Sequence, residues 1–317
     1  MYSSLVFQLF LYLLSFVFVW IGAGLVVTTV SDLSKTWKIP RFILSFFLLG
    51  ILTSLPEITI SSVAVANNDP AIVVGTLLGG VIVMFLGVIP LLGLVGNGIK
   101  IPTQLNKKSL LLTILVVIVP ALLTGDQRIE RWEALLCVLL YLFLLVYFST
   151  IRSASSQVET RRIQKKKNVS KLLGTVVLGV LLLIGASYQI VASTILFADI
   201  LHISPFFVSL IVVALGTNIP EISLIFRSVL TKKNDIAFAD YLGSASANTL
   251  LMGFFVLLYG NTVFLPNHFL QRTMFLGIGL LLFFFFARSK NTISRAESAF
   301  LFLLYVVFVC FEIVFVL

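Results

Sequence analysis

Two glutamates carry the strongest chemical implication in the chain. Glu57 stands in LTSLPEI (52–58) and Glu221 in GTNIPEI (216–222), each directly after a proline and each inside a long apolar stretch. A carboxylate at the middle of a bilayer costs about 2.5–3.5 kcal/mol on insertion scales, so it marks an ion or proton pathway or a hydrogen bond to a neighbouring helix. The prolines add a second feature. Proline has no N–H and clashes with the carbonyl four residues back, so Pro56 should release the carbonyl of Leu52, and Pro220 that of Gly216. Free carbonyls at membrane depth are tolerated where they face protein or a wet cavity. Thr53 and Thr217 precede their glutamates by four residues and share their helix faces, with Ser54 and Asn218 beside them. Carboxylate, hydroxyl or amide, and bare carbonyl make a hard-oxygen set that suits Ca²⁺ or Na⁺.

The two segments are copies of each other. A constant offset of 164 pairs Thr53 with Thr217, Pro56 with Pro220, Glu57 with Glu221, Ile58 with Ile222 and Gly79 with Gly243. Each copy is followed by a glycine-bearing apolar segment, GTLLGG (75–80) in the first and ADYLGSASAN (239–248) in the second. An internal repeat at matching places implies a fold assembled from two related halves.

The elements that must hold these residues are membrane spans. Apolar residues make up 59% of the 317 and charged residues 11%, against about 25% charged in a soluble domain. Mean hydropathy is +1.12. Windows of about 20 residues, the length that crosses a bilayer core, predict ten spans. They run at 5–30, 42–65, 73–96, 109–124, 132–151, 172–196, 205–228, 241–261, 271–287 and 297–316. The hydrophilic segment 152–171 divides them five and five. An odd number of spans per half turns the second half over relative to the first, the plan of many secondary transporters, whose sites lie near the midplane between the repeats. The expected organisation is a first repeat at 1–151, a basic linker at 152–171 and a second repeat at 172–317. The fold class expected is an all-α integral membrane protein of ten transmembrane helices in two inverted five-helix repeats.

The net charge of +9 does not point to nucleic acid. Of the 22 Lys and Arg residues, all but Arg128, Arg131 and Arg272 fall in alternate loops. The positive-inside rule makes those loops cytoplasmic and puts both termini outside. The compact linker fits a prokaryotic plasma membrane, and the linker itself reads as a cytoplasmic loop near anionic lipid. MYSSLVFQLFLYLLSFVFVW lacks the basic start of a signal peptide and reads as the first span. Cys137 and Cys310 lie in apolar spans, and His202 and His268 lack metal-ligand spacing. No nucleophile–base pair or phosphate loop argues for an enzyme, and none of the motifs calls for a prosthetic group. Arg227 reads as a snorkelling anchor at the end of the seventh span.

TSLPE and GTNIPE, with GTLLGG and ADYLGSASAN behind them, resemble the repeats of sodium/calcium exchangers in the calcium/cation antiporter superfamily. The resemblance implies an antiporter exchanging Ca²⁺, or a similar cation, for Na⁺ or H⁺, with inorganic cations and the bilayer as its partners. It also implies that Glu57, Glu221, Thr53 and Thr217 ligate the metal, with Ser54, Asn218, Ser244, Asn248 and the carbonyls of Leu52 and Gly216 around it. The family pattern GNxxGSNxxN is altered here. Its asparagine places in the first repeat are Thr76, Val81 and Met84, and its serine place is Gly80; in the second repeat Asp240 and Ala245 replace two asparagines. Asp240 either adds a third carboxylate or lines a solvated mouth near Lys232 and Lys233. The weakened first repeat leaves a second expectation open, a non-exchanging relative that binds a cation or lipid and serves a regulatory or structural role.

Overall fold

The computed structural model describes residues 2–34, 50–101, 105, 107–151, 169–219, 221–222, 234–265, 269–289 and 291–316. Most of the linker, together with Lys35, Lys38, Arg41, Pro220, Arg227, Lys232, Lys233, His268 and Lys290, lies outside the described residues. Asp240 belongs to a helix, but its side chain is likewise outside them.

Each of the ten expected spans contains a helix. Seven are long and apolar enough to cross a membrane, and three shorter apolar ones, Leu55–Ala66, Pro205–Thr217 and Thr273–Arg288, fall in the second, seventh and ninth spans. The first repeat comprises α1 (Tyr2–Ser34), α2 (Gly50–Thr53 and Leu55–Ala66), α3 (Pro70–Val95), α4 (Lys107–Leu123) and α5 (Arg131–Ile151). The second comprises α6 (Val169–Leu201), α7 (Pro205–Thr217, with Glu221 just beyond), α8 (Asn234–Tyr259), α9 (Phe269–Ser289) and α10 (Arg295–Val316). The second and seventh spans, where the prolines were expected to free backbone carbonyls, are interrupted around Ser54 and Asn218. Proline explains both breaks, because Pro56 and Pro220 cannot supply the N–H that would continue the ladder. The third span starts at Pro70, three residues earlier than hydropathy suggested, where a proline in the first turn has its φ already set for a helix.

Burial sorts the helices into an inner and an outer set. The apolar window of α3 is buried throughout and that of α8 mostly, while α1, α5, α6 and α10 keep rows of exposed residues such as Phe7, Phe10, Leu139, Leu181 and Leu303. Such rows suit hydrocarbon, which leaves no solvation penalty on Leu or Phe. The two central helices thus wall in the broken ones.

Two short antiparallel ribbons show how the halves are related. β1 (Ile99–Lys100) pairs with β4 (Thr292–Ile293), and β2 (Arg128–Ile129) pairs with β3 (Val263–Phe264). The offset of 164 maps β1 onto β3 and β2 onto β4, so each ribbon joins one strand from each half. The ribbons lie at opposite ends of α4, which runs between β1 and β2. Equivalent strands therefore lie at opposite ends of the bundle, as an inverted repeat requires.

Candidate functional site

The site is assembled where the broken helices cross the other repeat's central helix. Glycine permits the approach. A Cβ on Gly50 would meet the Gly243 carbonyl carbon at 2.6 Å and the Ser244 nitrogen at 2.8 Å. At the symmetry-related crossing, a Cβ on Gly79 would collide with the backbone of Leu210 and stand 2.7 Å from the Cβ of Ala214. Gly50 and Ala214 are themselves equivalent by the offset of 164, so both crossings bring an α2 or α7 segment against the opposite half.

At each break, side chains turn their protons backward. Thr53 and Ser54 both donate to the Gly50 carbonyl, at 3.3 and 2.8 Å. Thr217 and the Asn218 amide both donate to the Ala214 carbonyl, at 3.2 and 2.7 Å. A hydroxyl has one proton and two acceptor lone pairs, and a carboxamide keeps its oxygen purely as an acceptor. With the protons of Thr53, Ser54 and Asn218 committed to the helix behind, lone pairs of these side chains are left as acceptors, as a cation requires, whereas the Thr217 proton also lies within reach of the Glu57 carboxylate. The Gly216 carbonyl accepts the Asn218 N–H, so it offers a ligand only its other lone pair. Ser54 spends its proton on Gly50, so Ser244 is the donor in the 3.2 Å contact between their hydroxyls.

Glu57 and Glu221 are both buried, 2% and 0% exposed. Glu57 opens the second segment of α2, and the Thr217 side chain of the other repeat lies within hydrogen-bonding reach of its carboxylate. Its Oε2 has no hydrogen-bond partner among the described residues, nor have Thr76 Oγ1, Ser61 Oγ and Asn248 Oδ1, all buried. Buried polar atoms without partners are rare in folded proteins. The Glu57 oxygen and three others, on α2, α3 and α8, thus have acceptor capacity left for a ligand.

The structure brings together Glu57 with Thr217, and Ser54 with Ser244, across the repeat boundary. It places Asn248 against the first repeat, its amide donating to the Leu77 carbonyl at 3.2 Å. Three polar residues of the region went unnoticed in the sequence. Tyr241 donates to the Glu221 carbonyl at 3.0 Å and fixes the backbone just after the second break. Its counterpart by repeat offset is Leu77, so the internal comparison could not flag it. Ser61 stands four residues after Glu57, a spacing that puts both on one helix face. Thr76, read as a lost asparagine, is a buried hydroxyl in its own right. Glu57's helix is anchored to α6 by Ser187, which donates to Thr59 at 2.7 Å.

Comparison with known proteins agrees with this architecture. The family model described as sodium/calcium exchanger protein matches residues 7–150 and 171–314, two blocks related by the same offset of 164. The chain belongs to that family, which consists of membrane transporters and not enzymes. It is 26% identical over 239 residues to the inner membrane protein YrbG of Escherichia coli K12, covering 73% of each chain. It is 24% identical to the sodium/calcium exchanger MaX1 of Methanosarcina acetivorans, covering 93% of this chain and 95% of that one. The fold matches the sodium-calcium exchanger NCX_Mj with a TM-score of 0.69 at 20% identity, over 96% of this chain and 98% of the other. It matches the H⁺/Ca²⁺ exchanger CAX with a TM-score of 0.77 at 16% identity, over 96% and 83%. The protein is an all-α integral membrane protein, with ten transmembrane helices in two inverted five-helix repeats, of a cation-exchanger family.

Proposed function

We propose that the protein exchanges Ca²⁺, or a similar divalent cation, for Na⁺ or H⁺ by alternating access around Glu57 and Glu221. The observation that carries this is the buried Glu57 carboxylate at a helix break, with an oxygen that has no partner among the described residues and a hydroxyl of the opposite repeat beside it. Thr53 and Thr217 complete the metal-binding group, and Ser54, Asn218, Ser244, Asn248 and the carbonyls of Leu52 and Gly216 surround it. Sharing one cavity at a separation of about 5 Å, the two carboxylates would repel by roughly 3 kcal/mol at an effective dielectric near 20. A divalent cation, two monovalent cations or two protons relieve that repulsion. An uncompensated double charge passes through a closed, dry intermediate only at great cost. The site therefore reorients when loaded, and one ion leaves as another returns.

Radiolabelled Ca²⁺ uptake into proteoliposomes, under an imposed Na⁺ gradient and then a pH gradient, tests the proposal. Glu57→Gln and Glu221→Gln should each abolish uptake while the protein still reconstitutes as a monodisperse species. Normal uptake by both variants would rule out the two-glutamate site. Saturable Ca²⁺ binding without counterflow would instead identify the non-exchanging relative to which the altered first repeat, Gly80, Val81 and Met84, also points.

A further inference from the structure

We propose that the end of the bundle carrying the β2–β3 ribbon holds a zwitterionic phospholipid, its ammonium on Glu130 and its phosphate on Arg131. The proposal is independent of the exchange reading. It concerns the start of α5 and the turn after α8, about 18 Å along the α8 axis from Asn248.

The two helices meet closely just inside this end. A Cβ on Gly253 would stand 2.3 Å from the Ala134 carbonyl oxygen and 3.0 Å from the Val138 nitrogen, so α5 and α8 touch backbone to backbone. Beside their ends lies a cavity of about 460 Å³, lined by Glu130, Arg131, Trp132, Gly260, Asn261 and Thr262. Half of these residues come from each repeat, so a molecule bound there bridges the two halves. A volume of that size holds a small polar ligand.

The charges on its wall suit a zwitterion. The Trp132 indole donates to Glu130 Oε2 at 2.9 Å and holds the carboxylate in place. Glu130 Oε1 has only a 3.5 Å approach from Arg128, whose main partner is Asp126 at 2.9 Å. Glu133 is occupied as a cap, accepting the Glu130 N–H at 2.8 Å. Arg131 is exposed, and no carboxylate lies within 4 Å of it among the described residues. Its Nη2 lies by the turn after α8, 3.7 Å from where a Cβ on Gly260 would stand. A guanidinium presents a fork of donors that matches phosphate oxygens, and a carboxylate accepts from an ammonium. Asp126, Glu130 and Glu133 outnumber Arg128 and Arg131 by one, so an anionic headgroup would add like charge where a zwitterion adds none. Choline has no N–H to give Glu130, which selects a primary ammonium, as in ethanolamine.

The surroundings are those of a lipid. Trp132 and Phe264 are 60% and 74% exposed at this end, as aromatic side chains are at a membrane–water boundary. Leu135 and Leu139 on α5, with Phe254 and Leu258 on α8, are exposed within about 12 Å of the cavity along the helix axes. Acyl chains can lie on them without a solvation penalty. A soluble phosphate would engage Arg131 but leave Glu130 and this apolar strip without a role.

The test uses the full chain in detergent, titrated with phosphatidylethanolamine, phosphatidylcholine or phosphatidylglycerol of matched acyl chains, with bound lipid counted by native mass spectrometry. One phosphatidylethanolamine should be held about tenfold more tightly than either other lipid and should raise the thermal midpoint. Arg131→Gln and Glu130→Gln should each weaken it about tenfold, the loss of one charge-assisted contact. Arg131→Lys should keep most of the binding. Arg295→Gln, beside the β1–β4 ribbon at the opposite end, should change nothing. A cysteine at Asn261, in a chain lacking Cys137 and Cys310, locates the lipid without touching its charges: phosphatidylethanolamine should slow its maleimide labelling about tenfold, and phosphatidylglycerol should not. Equal retention of the three lipids, full binding by both Gln variants, or labelling blind to the lipid overturns the proposal. So does an equal rise in thermal midpoint with inorganic phosphate or phosphorylethanolamine alone, which would make the cavity a site for a soluble ion.

Discussion

Gly50→Ala would separate two helices that touch backbone to backbone. The added Cβ would stand 2.6 Å from the Gly243 carbonyl carbon, about 0.8 Å inside the 3.4 Å at which ordinary contact begins. Neither side of the contact is a flexible side chain, so α2 and α8 must part by about that distance. The Ser54–Ser244 hydroxyl contact, 3.2 Å apart, then opens to roughly 4 Å and ceases to be a hydrogen bond. Overpacking costs about 1–3 kcal/mol, and losing the hydrogen bond adds about 1. The loss falls on the helix that carries Glu57, so Ca²⁺ affinity should drop about tenfold, the equivalent of ~1.4 kcal/mol. Half-saturation for labelled Ca²⁺ uptake reads the affinity, and the thermal midpoint in detergent reads the stability. Gly125→Ala and Gly174→Ala are the controls, since a Cβ at either position meets nothing within 4 Å. If Gly50→Ala matched these controls in both measurements, the close crossing would not position the site.

Four further outcomes follow from the geometry. Tyr241→Phe removes the donor to the Glu221 carbonyl and should weaken Ca²⁺ affinity about three- to tenfold without unfolding, measured by half-saturation of uptake. Cysteines at Ile129 and Val263, opposed in the β2–β3 ribbon, should form a disulfide on oxidation once Cys137 and Cys310 are replaced; a gel-shift assay that finds no cross-link contradicts the ribbon. Cysteine substitutions at Asn261 and Asn291 should react with an impermeant maleimide from opposite sides of the membrane, Asn261 from outside. Burial and the neighbouring Asp199 carboxylate raise the pKa of Asp69, in the turn before α3. The folded chain then binds that proton more tightly than the unfolded one, so stability falls as pH rises from the ordinary carboxylate range through the raised value. Asp69→Asn should raise the thermal midpoint at neutral pH, with the gain fading in acid.

How much of this could be read from the sequence depends on which forces are local. The ten spans were legible because hydrocarbon demands some 20 apolar residues wherever a helix crosses it. The breaks at Ser54 and Asn218 were legible because a proline's missing N–H acts within one turn. The glutamates stood out through their cost in that setting. What the sequence concealed depends on contacts between distant segments. The ribbons join residues far apart in the chain and are only two residues long. The back-donation to Gly50 and Ala214 depends on rotamers, which spacing alone leaves open. Gly80 read as a lost serine, yet its empty place is taken by Asn218 and Asn248 from the other half, whose Nδ2 atoms would stand 3.7 and 2.9 Å from a Cβ there. A comparison confined to the repeats sees the deletion but not what fills the gap.

That exchange of volume has an evolutionary consequence. Where Ser54 faces Ser244, the related place sets a large Asn218 amide toward a bare Gly80. Each half has become the custom-made mate of the other. Two copies of the first half would leave a hole between Ser54 and Gly80, and two copies of the second would press Asn218 onto Ser244. An ancestral pair of identical short chains would need a crossing that neither half of this sequence retains. Its halves now have to be made together, one of each, as a single polypeptide guarantees.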